Sequence, residues 1–110
     1  MDGRDVEMRR QGRPEPLPPE MQGRWVVPDE PRLDLTVVGG EVKWCGRPSD
    51  YDYKEVGLKD GEIYVSLAVQ DDRDVDAFQK ENIVGLLLTA DGELDVFNMK
   101  FASRLVRAES

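Results

Sequence analysis

Three pairs of short apolar–polar alternations, each folded back on itself through a glycine-containing turn, constrain this chain more than any other feature. Leu33–Val38 (LDLTVV) runs through Gly39-Gly40 into Glu41–Cys45 (EVKWC). Tyr51–Leu58 runs through Lys59-Asp60-Gly61 into Glu62–Val69, and Ile83–Thr89 through Ala90-Asp91-Gly92 into Glu93–Phe101. Period-two alternation marks half-buried strands, and Gly-Gly or Asp-Gly supplies the positive φ that tight hairpins need. Arg24–Val27 and Ser103–Arg107 flank these hairpins as further strands. Asp74–Asn82 reads as a helical turn, with Asp74 as its cap and Phe78 facing inward. Seven or eight antiparallel strands with short connections make an all-β meander. Such a sheet hides its edges by closing, so the expected fold is a small up-and-down barrel.

Length and composition then set the limits. The chain has 110 residues, 23 acidic and 15 basic, with no His and one Cys. One domain is the expectation. The first segment, Met1–Met21 (MDGRDVEMRRQGRPEPLPPEM), holds four of the seven prolines and nine charged residues. It reads as a disordered, Pro-rich N-terminal arm, leaving residues 22–110 as the barrel domain. No run approaches the ~18 apolar residues of a membrane helix, and the charged start lacks an apolar signal core. A soluble cytoplasmic protein that binds no membrane is the expectation.

Charge and chemistry exclude more. A net charge of −8 argues against nucleic-acid binding, which needs a basic footprint. Without histidine there is no Ser–His–Asp or Cys–His machinery and no HExxH zinc site. The lone Cys45, beside Trp44, reads as a buried structural thiol. Asp71-Asp72-Arg73-Asp74-Val75-Asp76 alternates carboxylates but fails as a calcium loop, with Ala77 and Ile83 where glycine and a bidentate glutamate belong. It reads as a solvated loop, and no metal or other cofactor is expected.

A barrel of about eight strands just fills with side chains or holds one small ligand. In Tyr51-Asp52-Tyr53-Lys54-Glu55, alternation puts Tyr51, Tyr53 and Glu55 in one column. If that column faces inward, Glu55 is a desolvated carboxylate among phenols, suited to proton transfer with Tyr53. The competing reading makes the tyrosines packing residues and leaves Glu55 solvated. Trp44, Tyr51 and Tyr64 are candidate walls for a ligand, with Arg47 and Asn98 as polar anchors. Asn98 stands out because it interrupts an apolar strand.

Two stretches resemble known barrels. Gly23-Arg24-Trp25 is similar to the start of lipocalin-type barrels, in which the tryptophan closes one end under an arginine from the last strand; Arg104 and Arg107 are the arginines available. Tyr53–Leu67 (YKEVGLKDGEIYVSL) resembles the central hairpin of MoaF-type and phenolic-acid-decarboxylase-type domains, over a span of roughly Gly39 to Phe101. The chain has Ala68, Val69 and Gln70 where those decarboxylases carry a glutamate. The resemblance implies a lipocalin-like (calycin) barrel with a small-molecule pocket.

The leading functional expectation is a barrel that binds a small, partly apolar ligand, with a cofactor-independent proton-transfer, cyclisation or lyase step as its enzymatic form. The alternative is an acidic immunity-, antitoxin- or inhibitor-like interaction domain without catalysis. Residues 22–110 hold 18 acidic and 11 basic residues, so the body carries −7 of the −8. A third reading is a homodimer joined through an exposed strand face, because a core this thin gains from a partner.

Overall fold

The computed structural model describes residues 7–108. It holds ten antiparallel strands among them: β1 (Glu7–Gly12), β2 (Gly23–Val27), β3 (Glu30–Val38), β4 (Glu41–Trp44), β5 (Arg47–Pro48), β6 (Tyr53–Lys59), β7 (Glu62–Ala68), β8 (Gly85–Leu88), β9 (Leu94–Phe97) and β10 (Ala102–Arg107). One short helix, α1 (Val75–Glu81), starts after Asp74 and buries Phe78, as the sequence leads one to expect, although the Asp74 side chain makes no capping hydrogen bond. No described helix is long and apolar enough to cross a membrane.

The three hairpins form where the turns predict them, as β3–β4, β6–β7 and β8–β9. The strands make one sheet in the order β1-β6-β7-β8-β9-β10-β2-β3-β4-β5. First and last elements of the meander meet, since β10 pairs with β2. The sheet curls into a half-barrel whose ladder stops at β1 on one side and β5 on the other. Closure by strand pairing, expected from the sequence, is therefore incomplete, and the opening lies between the two edge strands, β1 and β5.

The concave face follows the alternation. Ile63, Val65 and Leu67 of β7 oppose Leu58, Val56 and Lys54 of β6, while Val65 and Ile63 oppose Leu86 and Leu88 of β8. With Trp25, Leu35, Val37, Val42, Leu94, Val96 and Leu105, the buried Ile63, Val65, Leu67, Leu86 and Leu88 build the core; Val56 packs against it, and Leu58, near the end of β6, is exposed. Each fully buried aliphatic side chain contributes ~1.5–3 kcal/mol.

The N-terminal segment corrects the expected boundary at residue 22. From Glu7 onward it belongs to the fold, and only residues 1–6 of the expected arm lie outside the described residues. β1 pairs with β6 along its whole length, from Glu7 opposite Leu58 to Gly12 opposite Tyr53. Residues 13–21 then cross to the β3–β4 turn. Leu17 N donates to Gly39 O at 2.9 Å, and Leu17 and Met21 are buried at 2% and 0% exposure. Gln22 fastens this crossing: Nε2 donates to Leu17 O and Gly39 O, and Oε1 accepts from Gly39 N. The prolines suit the segment because it runs mostly outside the ladder, where a missing N–H costs nothing.

One end of the half-barrel is capped by Trp25. Its Nε1 donates to Met21 O at 3.0 Å, and the Arg107 guanidinium lies 4.2 Å from its ring centroid. Arg107 also donates to Gln22 O and Glu20 O at 2.8 and 2.7 Å. Arg104 points the other way and pairs with Asp95 and Glu93 on the surface.

Candidate functional site

A cleft of ≈ 210 Å³ opens at the end of the sheet where the β4–β5 hairpin, the end of α1 and the β9–β10 turn come together. Its hairpin wall is written locally. Cys45 and Gly46 both take positive φ (53° and 83°), which makes Trp44-Cys45-Gly46-Arg47 a two-residue hairpin loop. Trp44 and Arg47 are direct cross-strand partners and share one side of it. This turn also corrects the reading of Cys45, which is exposed because the loop tip points to solvent.

The opposite wall comes from residues 98–101. Asn98 lies past the end of β9, in a turn; the expected single strand Glu93–Phe101 breaks there. Asn98 Oδ1 accepts from Lys100 N at 2.7 Å and Phe101 N at 3.2 Å, and the turn is tied to α1 by Met99 N donating to Gln79 O. Phe101 then stacks on Trp44, with centroids 5.6 Å apart and planes at 30°. Asn82, just past α1, closes the floor by donating to Phe78 O and accepting from Asp50 N. Ser49 Oγ donates to Ile83 O beneath. Lys80, Glu81 and Lys100 complete the rim.

Of the residues singled out from the sequence, the structure thus brings together Trp44, Arg47 and Asn98. It sends the others elsewhere. Tyr53 and Glu55 lie on the convex face of β6, because the inner positions belong to Lys54 and Val56 opposite Leu67 and Val65. Arg10 stacks on the Tyr53 ring at 3.8 Å, and Glu55 is exposed. The inward carboxylate column needed for proton transfer by Tyr53 and Glu55 does not form. Tyr64 is also convex, stacked on Phe97 at 6.3 Å, with Phe97 lying over the bare backbone of Gly85. Lys80, Lys100, Ser49 and Phe101 were missed by sequence reasoning. The hairpin pairing of Trp44 with Arg47 was the available local signal.

Tyr51 has a different place, in a buried polar clasp that holds residues 12–13 against the β3–β4 turn. Its Oη donates to Gly40 O and lies 3.2 Å from Arg13 O. Lys54, at 0% exposure, donates from Nζ to Gly12 O at 2.7 Å and to Tyr51 Oη at 3.2 Å. Arg13 makes a two-pronged contact with Glu41 and donates to Tyr51 O. Burial lowers the Lys54 pKa and pushes Tyr51 up to about 12, the nearby Arg13 offsetting part of the latter.

The Tyr51 shift gives a pH prediction. A phenol with a higher pKa in the fold than in the unfolded chain keeps its proton longer when folded. Its contribution is fully present below pH 10 and is lost as pH climbs towards about 12. Urea midpoints at pH 9 and pH 11 are expected to fall more for the wild type than for Tyr51→Phe. Equal falls would rule the burial effect out.

An acidic groove lies on the other flank of α1, lined by Asp50, Asp52, Asp71, Asp74 and Glu81. The Asp71–Asp76 stretch takes up a short 3-10 turn and the first turn of α1. Arg73 donates to Asp71, which lowers that carboxyl's pKa. No group of three or more potential metal ligands clusters among the described residues.

No family model matches the chain, and no curated protein or solved structure is similar to it at a significant level.

Proposed function

We propose that this protein is a lipocalin-like half-barrel that binds a small, partly apolar molecule in the cleft between Trp44, Arg47, Asn98 and Phe101. The carrying observation is convergence: an aromatic pair and two polar anchors from two separate elements, the β4–β5 hairpin and the β9–β10 turn, line one concave site. Few convergent polar groups beside an aromatic wall are the usual make-up of a small-ligand pocket. The lipocalin-like part is supported by the Trp25 cap under Arg107 and by the β10–β2 pairing. The exposed thiol of Cys45 fits a reducing, cytoplasmic setting. The function is binding; Tyr53 and Glu55, on the convex face, take no part in it.

The test is an NMR titration of the full chain with benzyl alcohol and phenyl phosphate as probes. At least one is expected to shift the Trp44 indole N–H and the amides of Arg47, Asn98 and Phe101. Trp44→Leu is expected to weaken that probe about tenfold, since aromatic contacts contribute ~0.5–1.5 kcal/mol beyond their area. Shifts confined to other surfaces, or none, would refute the site.

A second reading, an acidic interaction domain, draws on the groove of Asp50, Asp52, Asp71, Asp74 and Glu81. A basic peptide such as oligolysine would then shift Ala77 and Val69 and leave Trp44 untouched.

A further inference from the structure

Resting on the cleft reading above, we infer that the ligand is a planar-ring phosphate monoester: its ring lies against Trp44 and Phe101, and its phosphate sits on Arg47, Lys100 and Asn98.

Charge carries the first part. The chain holds 23 carboxylates and a net charge of −8, yet the cleft is lined by Arg47, Lys80 and Lys100 against Glu81 alone. With Lys80 paired to Asp76, the unpaired cations Arg47 and Lys100 present a charge of +2 to a ligand in an acidic protein. A phosphate monoester carries about −1.5 to −2 at pH 7 and matches it, where a carboxylate would leave a cation uncompensated.

Partnering carries the second part. Arg13, Arg24, Arg32, Arg73 and Arg104 are each ion-paired, and Arg10 and Arg107 stack on Tyr53 and Trp25. Among the described residues Arg47, like Arg9 on β1, has neither kind of partner, and Lys100 has no ion pair. Lys80 reaches Asp76 at 3.9 Å, one turn away on α1. An arginine left open beside an aromatic wall, in a chain rich in carboxylates, is free for an external anion. A guanidinium fork suits phosphate because it offers two parallel N–H donors.

The third part is Asn98. Its Oδ1 is fixed as the acceptor by the backbone N–H groups of Lys100 and Phe101. Nδ2 is therefore a donor, and it has no acceptor among the described residues. Phosphate oxygens supply acceptors for Arg47, Lys100 and Asn98 together. Size fits a single ring: ≈ 210 Å³ is below the ~300–1,000 Å³ of pockets for drug-sized ligands.

Phenyl phosphate, benzyl alcohol and inorganic phosphate separate these elements when titrated into the full chain and read at the Trp44 indole resonance. Phenyl phosphate is expected to bind at least tenfold tighter than either of the others. Its affinity should fall between pH 7.5 and pH 5, as the phosphate becomes a monoanion, and on raising salt from 50 to 200 mM. Arg47→Ala and Lys100→Ala are each expected to cost about tenfold with the melting temperature unchanged, whereas Lys59→Ala, remote from the cleft, should cost nothing. Benzyl alcohol binding as tightly as phenyl phosphate would overturn the phosphate assignment and leave the cleft reading standing. Inorganic phosphate as tight as phenyl phosphate would overturn the ring. An equal loss in Lys59→Ala would reduce the effect to general charge and overturn the inference. No response at Trp44 to any of the three would remove the cleft reading itself.

Discussion

A chain beginning at Gln22 is expected to lose its cooperative fold. Removing residues 1–21 strips β1 from the edge of β6 and takes Leu17 and Met21 out of the core. Loss of one buried Leu or Met side chain costs ~2–5 kcal/mol, and here the backbone goes with it. The polar consequences are as large. Lys54 Nζ loses its acceptors Gly12 O and Arg13 O, leaving a buried ammonium with Tyr51 Oη as its remaining partner. Trp25 Nε1 loses Met21 O, and Arg107 loses Glu20 O. The lost burial of Leu17 and Met21, the lost β1–β6 ladder and the lost acceptors of Lys54 together approach the ~5–15 kcal/mol that holds a domain of this size. The expected result is a non-cooperative thermal melt and dye-accessible apolar surface, measured by circular dichroism and anilinonaphthalene-sulfonate fluorescence. A cooperative melt within ~5 °C of the full chain, equivalent to about 1 kcal/mol, would show that the crossing segment is dispensable.

That segment was hard to read for a physical reason. Four prolines and nine charges dominate the first 21 residues, and a compositional argument averages Leu17 and Met21 into them. What orders β1 is its partner: β6 offers a free edge, and the long stems of residues such as Arg9 and Gln11 cover Val56 and Lys54 on the concave side. None of that is local. The central hairpins were legible because both their turns and their alternation are local properties. β6 was legible as a strand but its parity was not. Lys54 looks like a surface residue, yet register opposite Leu67 fixes it inward, and three oxygen acceptors make that position tolerable. Trp44 and Arg47 face each other across the two-residue loop Cys45-Gly46, a pairing hidden when the alternation is run on through Cys45. Asn98 drew notice as a polar break in an apolar run, and the break is a turn in which its side chain caps the backbone. Lys80, Lys100 and Phe101 join them only through the packing of α1 and the β9–β10 turn, which no local pattern encodes.

Gly39 and Gly40 look alike in the sequence and are expected to respond very differently to the same substitution. Gly39 sits at φ 60° with open space where a Cβ would go. Gly39→Ala therefore costs only the left-handed strain of an L-residue, ~1–2 kcal/mol. Gly40 is bounded by the crossing segment: a Cβ there would overlap the carbonyl oxygen of Arg13 and stand 2.9 Å from that of Glu15. Those are backbone atoms, held by Lys54, Tyr51 and the Arg13–Glu41 pair, so they cannot rotate aside as a side chain would. Gly40→Ala must push residues 13–15 off the turn, breaking the Tyr51 contact to Gly40 O and the Leu17 bond to Gly39 O. Two buried hydrogen bonds left open at ~1–3 kcal/mol each, with part of the Leu17 burial, give an expected loss of about 3–6 kcal/mol. Urea denaturation of the two variants side by side measures it. A loss for Gly40→Ala no greater than for Gly39→Ala would mean that the crossing segment does not lie on this turn.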